Sequence, residues 1–174
     1  LAADASTTGA YNTIFGYAAL TSDVAGNAST AVGYRALENQ NFSTSTTAGN
    51  VAVGFDAGND ITTGDRNTIL GSFVADALTT GYQNTALGYH ALGADTQGAT
   101  AVAVGYQALQ ANSSGSGNVA LGRSALLANT TAANNVALGY KALAANTTGT
   151  DNVAVGFEAG QTLTTGQNNT YVGD

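Results

Sequence analysis

One glycine recurs along this chain at a fixed interval, and no other feature limits the fold so severely. Gly16, Gly33, Gly54, Gly71, Gly88, Gly105, Gly122, Gly139, Gly156 and Gly173 follow one another at seventeen residues, except between Gly33 and Gly54, where the interval is twenty-one. Each belongs to a version of one segment, Asn152-Val153-Ala154-Val155-Gly156-Phe157 being a full example. A constant period near twenty residues marks a solenoid, in which no repeat can bury its own apolar face and each stacks on its neighbours. The expectation is an all-β, parallel β-solenoid (β-roll) of about ten seventeen-residue coils. It forms one domain over residues 1–174, with a four-residue insertion in the coil between positions 34 and 53.

Positions within a coil are counted from the recurring glycine as zero. Position −1 is always apolar (Phe15, Val32, Val53, Leu70 and onward), and position −3 is always Thr or Val. Alternation of period two with β-branched residues reads as a short strand, and the face carrying −3 and −1 is expected to form the coil interior. The opposite face carries Ala31, Ala52, Ala86, Ala103, Ala120, Ala137 and Ala154 at −2, with Ile14, Ile69 and Tyr171 completing an uncharged column. A strand face open to water normally carries polar residues, so this second apolar column reads as an oligomer face, with small alanines letting three chains approach around an axis.

The remaining columns read as corners and ladders. Asn at −4 (Asn50, Asn67, Asn84, Asn118, Asn135, Asn152 and others) tolerates a sharp bend and stacks at the spacing of paired strands, as does the aromatic at +1 (Tyr17, Tyr34, Phe55, Tyr89, Tyr106, Tyr140, Phe157). Thr-Thr-Gly, as in Thr147-Thr148-Gly149, reads as a second corner. Leu at +4 accompanies Asp or Asn at +7 (Leu143 with Asn146), whereas Gly or Ala at +4 accompanies Ile or Leu at +7 (Gly160 with Leu163). One interior pocket filled from either direction is the simplest account, so Leu143 and Leu163 are expected to occupy equivalent space. The insertion around Glu38–Ser45 must loop outward, which makes Asn41 and Phe42 candidate partner contacts, or else Phe42 folds back on the coil.

Chemistry is sparse. Charged residues make up 9% of the chain, the net charge is −7, and there is no cysteine. That balance argues against nucleic acid or anionic membrane as partner, and disulfides and thiolate metal sites are excluded. No apolar run is long enough for a membrane helix. The single histidine, His90, shares column +2 with Arg35, Asp56, Gln107, Lys141 and Glu158, a solvated face without a paired nucleophile. No catalytic residue, metal site or cofactor is expected. Asn-x-Ser/Thr occurs at Asn27, Asn41, Asn112, Asn129, Asn146 and Asn168, more naturally as turn residues than as glycan acceptors.

The recurring Val-Ala-Val-Gly core, as in Asn50–Gly54 and Asn152–Gly156, resembles the head repeats of trimeric autotransporter adhesins and the related repeats of phage tail-fibre proteins. The resemblance covers almost the whole chain. It implies a homotrimer of parallel β-rolls displayed outside the cell or virion and used for attachment to a surface receptor or glycan. The reading is therefore an extracellular structural and adhesive fibre element that self-associates. An ice-binding array, suggested by the Thr62, Thr79, Thr96, Thr130, Thr147 and Thr164 column, is the first alternative; a glycan-processing solenoid enzyme is the second. Continuing the count from Gly173 through Asp174 to Leu1 places Gly16 at +17, so end-to-end stacking into a head-to-tail filament is also expected.

Overall fold

The computed structural model describes residue 5 and residues 8–173. The residues on which the junction between chain ends turns, Leu1 to Ala3, Ser6, Thr7 and Asp174, lie outside the described residues. Twelve short strands follow in order: β1 (Thr13–Phe15), β2 (Gly26–Asn27), β3 (Thr30–Val32), β4 (Thr46–Thr47), β5 (Val51–Val53), β6 (Thr68–Leu70), β7 (Thr85–Leu87), β8 (Val102–Val104), β9 (Val119–Leu121), β10 (Val136–Leu138), β11 (Val153–Val155) and β12 (Thr170–Val172). There is no helix among the described residues.

Ten of the strands form one parallel sheet in the order β1-β3-β5-β6-β7-β8-β9-β10-β11-β12, while β2 and β4 pair separately. The fold is a parallel β-solenoid of about nine turns, and its register is residue on residue. Val136 faces Val153, Ala137 faces Ala154 and Leu138 faces Val155, a shift of one repeat. The twenty-one-residue interval is absorbed without loss of that register, since Thr30 pairs with Val51 and Val32 with Val53.

Each strand is short because its ends are built to bend. After the recurring glycine the backbone turns left-handed at +2 and again at +4, as at Lys141 (φ 52°) and Leu143 (φ 50°). Left-handed backbone costs a side-chain-bearing residue roughly 1–2 kcal/mol. It persists here because the turn's polar groups are taken up by the adjacent coils. The Lys141 N–H donates to Arg123 O at 3.0 Å, and the Leu143 N–H donates to Ala159 O at 3.0 Å. Pairing between coils therefore extends round the turn as well as along the strand.

The strand faces are the reverse of the sequence expectation. Ala31, Ala52, Ala86, Ala103, Ala120, Ala137 and Ala154, read above as an oligomer face, lie inside the coil at 0–1% exposure. The residues at −3 and −1 point outward, and none of them is buried. The physical reason is the narrowness of the coil. The −2 side chain meets the +4 side chain of the preceding coil, so with Leu at +4 only Ala fits. Where +4 is glycine the −2 residue grows: a Cβ on Gly58 would lie 2.9 Å from Ile69 Cδ1, and one on Gly160 would lie 2.8 Å from Tyr171 Cδ2.

The same contacts correct the shared-pocket expectation. Leu143 is fully buried, but Leu163 keeps to its own column: its Cδ1 lies 2.6 Å from the Cβ position of Gly166, as Asn146 Oδ1 lies 2.5 Å from that of Gly149. The room at Gly160 is filled by Tyr171 and by Leu143 of the preceding coil. Ile61 does reach toward the space above Gly58, with its Cδ1 3.0 Å from that Cβ position. Volume is conserved, as cores require, but it is shared among three columns, +4, +7 and −2.

Two amide ladders run through the interior. At −4, the Asn152 side-chain Nδ2 donates to Asn135 Oδ1 at 3.1 Å and to Gly166 O at 2.8 Å, while Asn135 Oδ1 also accepts the Asn152 backbone N–H at 3.0 Å. The second ladder, at +7, runs from Asn146 through Asn129 to Asn112: Asn146 and Asn129 each donate to the side-chain oxygen of the amide before, and Asn112 donates to the Asp95 carboxylate at 2.7 Å. A carboxylate suits that end because it has only to accept. The inserted coil repeats the device, with Gln40 Nε2 donating to Asp23 at 2.9 Å.

Candidate functional surfaces

With the alanines inside, the outward side of the ten-stranded sheet carries Thr or Val at −3 and Phe, Val or Leu at −1. Leu70, Leu87 and Leu121 are 46%, 40% and 48% exposed, in columns that follow the solenoid axis. The aromatics at +1 lie alongside. Tyr17 and Tyr34 stack at 5.5 Å between ring centroids, Tyr34 and Phe55 at 4.9 Å, Tyr89 and Tyr106 at 5.8 Å, and Tyr140 and Phe157 at 5.1 Å. Both gaps in the column are bridged. Where +1 is Ser72, the neighbouring Phe73 meets Phe55 and Tyr89 edge-on at 5.2 and 5.9 Å. At Arg123 the guanidinium lies 5.5 Å from the Tyr106 ring and 5.8 Å from the Tyr140 ring. Apart from Tyr140, which is half-buried, the stacked rings of this column stay open to solvent, from 42% at Tyr34 to 67% at Tyr17.

The polar sides carry the remaining candidates. Phe42 is folded back and buried, held by its backbone N–H donating to Asp23 Oδ1 at 3.1 Å, so it is not an exposed contact in this structure. Asn41 is exposed and lines an open groove of about 540 Å³ with Ser22, Asn39, Asp60, Thr62 and Thr79. Five of the threonine hydroxyls at +8, those of Thr62, Thr79, Thr96, Thr130 and Thr147, donate to backbone carbonyls of the next coil: Thr79 Oγ1 donates to Thr96 O at 2.8 Å and Thr147 Oγ1 to Thr164 O at 3.1 Å. Asn112, Asn129 and Asn146 are fully buried ladder members, a role their place in an Asn-x-Ser/Thr pattern does not reveal.

Charged groups form small structural networks. Arg35 binds Glu38 and lies 3.6 Å from Asp56, and Asn59 donates to Glu38 at 3.0 Å. Burial works to raise Glu38, but the hydrogen bonds from Arg35 and Asn59 outweigh it and hold the carboxyl below its ordinary range. His90 stacks on Phe73 at 5.3 Å and meets Tyr89 edge-on at 4.4 Å. Among the described residues no three His, Cys, Asp or Glu side chains come together to hold a metal ion.

Burial raises Asp95, Asp76 and Asp56 above the ordinary carboxylate range; at Asp95 the hydrogen bonds from Gly98 and Asn112 oppose that rise without cancelling it. A carboxyl that binds its proton more tightly when folded destabilises the fold above its folded pKa. The penalty is relieved as pH falls through that value toward the unfolded one. Glu38 acts with the opposite sign. We expect thermal stability to rise on acidification from pH 7 toward pH ~4, and Asp95→Asn to flatten the rise. Melting curves across that range test this, and an unchanged slope in the variant would show that Asp95 is not its source.

The chain matches no family model, no curated protein and no solved structure.

Proposed function

We propose that this chain is an extracellular structural and adhesive fibre element, a straight rod that self-associates and attaches to a surface receptor or glycan. The observation that carries the reading is the unbroken parallel ladder of ten strands, with its apolar groups in lines along the axis rather than gathered in a cleft. Nine steps of ~4.8 Å give a rod of roughly 43 Å. Its acidic, sparsely charged surface suits display outside a cell or virion. A homotrimer, implied by the resemblance to adhesin heads, and coil-on-coil stacking between subunits are assemblies open to such a rod.

Ice binding would draw on threonine hydroxyls that, at Thr62, Thr79, Thr96, Thr130 and Thr147, already donate to the backbone. Electron microscopy of the purified chain, paired with adherence to immobilised glycans and host-cell surfaces, tests the proposal. Rods or filaments that adhere are expected. Isolated globular particles without adherence would refute it.

A further inference from the structure

The outward sheet face poses a physical problem. From −3 through −1 to +1 it spans about five residues, or ~13 Å, and it runs ~43 Å along the axis, a strip on the order of 560 Å². That is at the upper end of what a monomer leaves open to water. At −3 and −1 no residue is charged, and at +1 the one charge among the described residues, Arg123, is already engaged by Tyr106 and Tyr140. The strip also has a polar border: Gln83, Asn134, Asp151 and Asn168 stand exposed beside the strands at −5. The centre is uncharged and mostly apolar, with Thr at half of the −3 positions, and such a centre with a polar rim is the anatomy of a protein interface.

The occupant can be argued from the register. Because Val136 sits on Val153 and Leu138 on Val155, the side chains form columns with one step per coil. A facing surface fills the grooves between those steps along the full length only if its own side chains repeat at the same ~4.8 Å interval. A second copy of this chain has that interval by construction, whereas a helix rises 5.4 Å per turn and loses step within a few coils. Two such strips facing each other remove on the order of 1,100 Å², which meets the ~1,000 Å² that a specific interface needs.

We infer that the outward face of the strand sheet, with Leu70, Leu87, Leu121 and Val155 along its length, is covered by another copy of this chain packed side by side with its axis aligned. The inference rests on the self-association proposed above and names the surface that carries it. The aromatic column forms one margin of the seam, and the buried alanines have no direct part in it.

The test is the mass in solution of the full chain and of Leu87→Lys/Leu121→Lys, by light scattering at micromolar concentration. Both leucines point outward, so the double variant keeps its β-sheet circular dichroism. The parent is expected to be a dimer or a higher multiple and the variant a monomer, with association weakened at least about 100-fold by burial of unpaired charge. Thr131→Lys/Thr148→Lys, exposed at the turn side, serves as the charge control and stays associated. If the first pair does not fold, Leu87→Thr/Leu121→Thr carries the same expectation without the charge. A monomeric parent, a foldable face variant with parental mass, or a control that dissociates equally would each overturn the inference. A paired chain that neither extends nor adheres would instead refute the fibre reading and leave this one standing.

Discussion

Replacing Gly139 with alanine is expected to cost the fold about 2–6 kcal/mol, the sum of positive-φ strain and overpacking at ~1–3 kcal/mol each. Gly139 has φ 137°, and a Cβ there would lie 2.1 Å from the carbonyl oxygen of Gly156 in the next coil. That oxygen belongs to backbone already fixed by pairing, so it cannot move aside without opening the ladder. Gly173 provides the contrast: its φ is also positive, at 105°, but nothing lies within 4 Å of its Cβ position. Gly173→Ala should therefore carry the strain without the clash. Urea denaturation of both variants separates the two contributions, and equal losses would show that the close approach between coils is not what demands glycine.

Asn135→Ala is expected to cost about 2–6 kcal/mol, although it removes only a small polar side chain. Its Oδ1 accepts both the backbone N–H and one Nδ2 hydrogen of the fully buried Asn152, at 3.0 and 3.1 Å. Alanine orphans the backbone N–H and one Nδ2 hydrogen, at ~1–3 kcal/mol each, while Nδ2 keeps its other bond to Gly166 O. The acceptors on the other side keep partners: Gly149 O still receives Asn146 Nδ2 at 2.9 Å, and Asn118 Oδ1 still receives the residue 135 backbone N–H at 3.0 Å. The loss is thus specific to one donor pair. Asn169→Ala, at a half-buried ladder position, should cost less. Equal denaturation midpoints for the two variants would show that the ladder carries little of the stability.

The glycine period was enough to read a solenoid, its coil length and the site of the insertion, because a repeated backbone geometry needs the same residue each time. The Asn column was legible for the same reason. The direction of the strand faces was not. Alternation tells which residues share a side but not which side is inside, and a shift of one residue exchanges the two. Hydrophobicity pointed the wrong way, since Val and Leu at −1 are more apolar than Ala at −2. The correcting signal was nevertheless present: two of the three large exceptions at −2, Ile69 and Tyr171, each come eleven residues after a glycine at +4, Gly58 and Gly160, and the third, Ile14, comes eleven after an alanine. Size complementarity across a narrow interior decided what hydrophobicity could not. Burial of Phe42 was an open alternative because a loop insertion leaves no periodic partner to compare.

The residue-on-residue register makes the molecule a ruler graduated in units of one coil. Gaining or losing one seventeen-residue unit changes its length by ~4.8 Å and leaves every column aligned. A change of any other size must be taken up off the ladder, as in the segment before Val51, where Phe42 folds back and Ser43 to Ser45 stand exposed, with pairing resumed at Thr30 and Val51. Length in such a molecule can therefore vary by duplication and deletion alone, without any new packing having to be found.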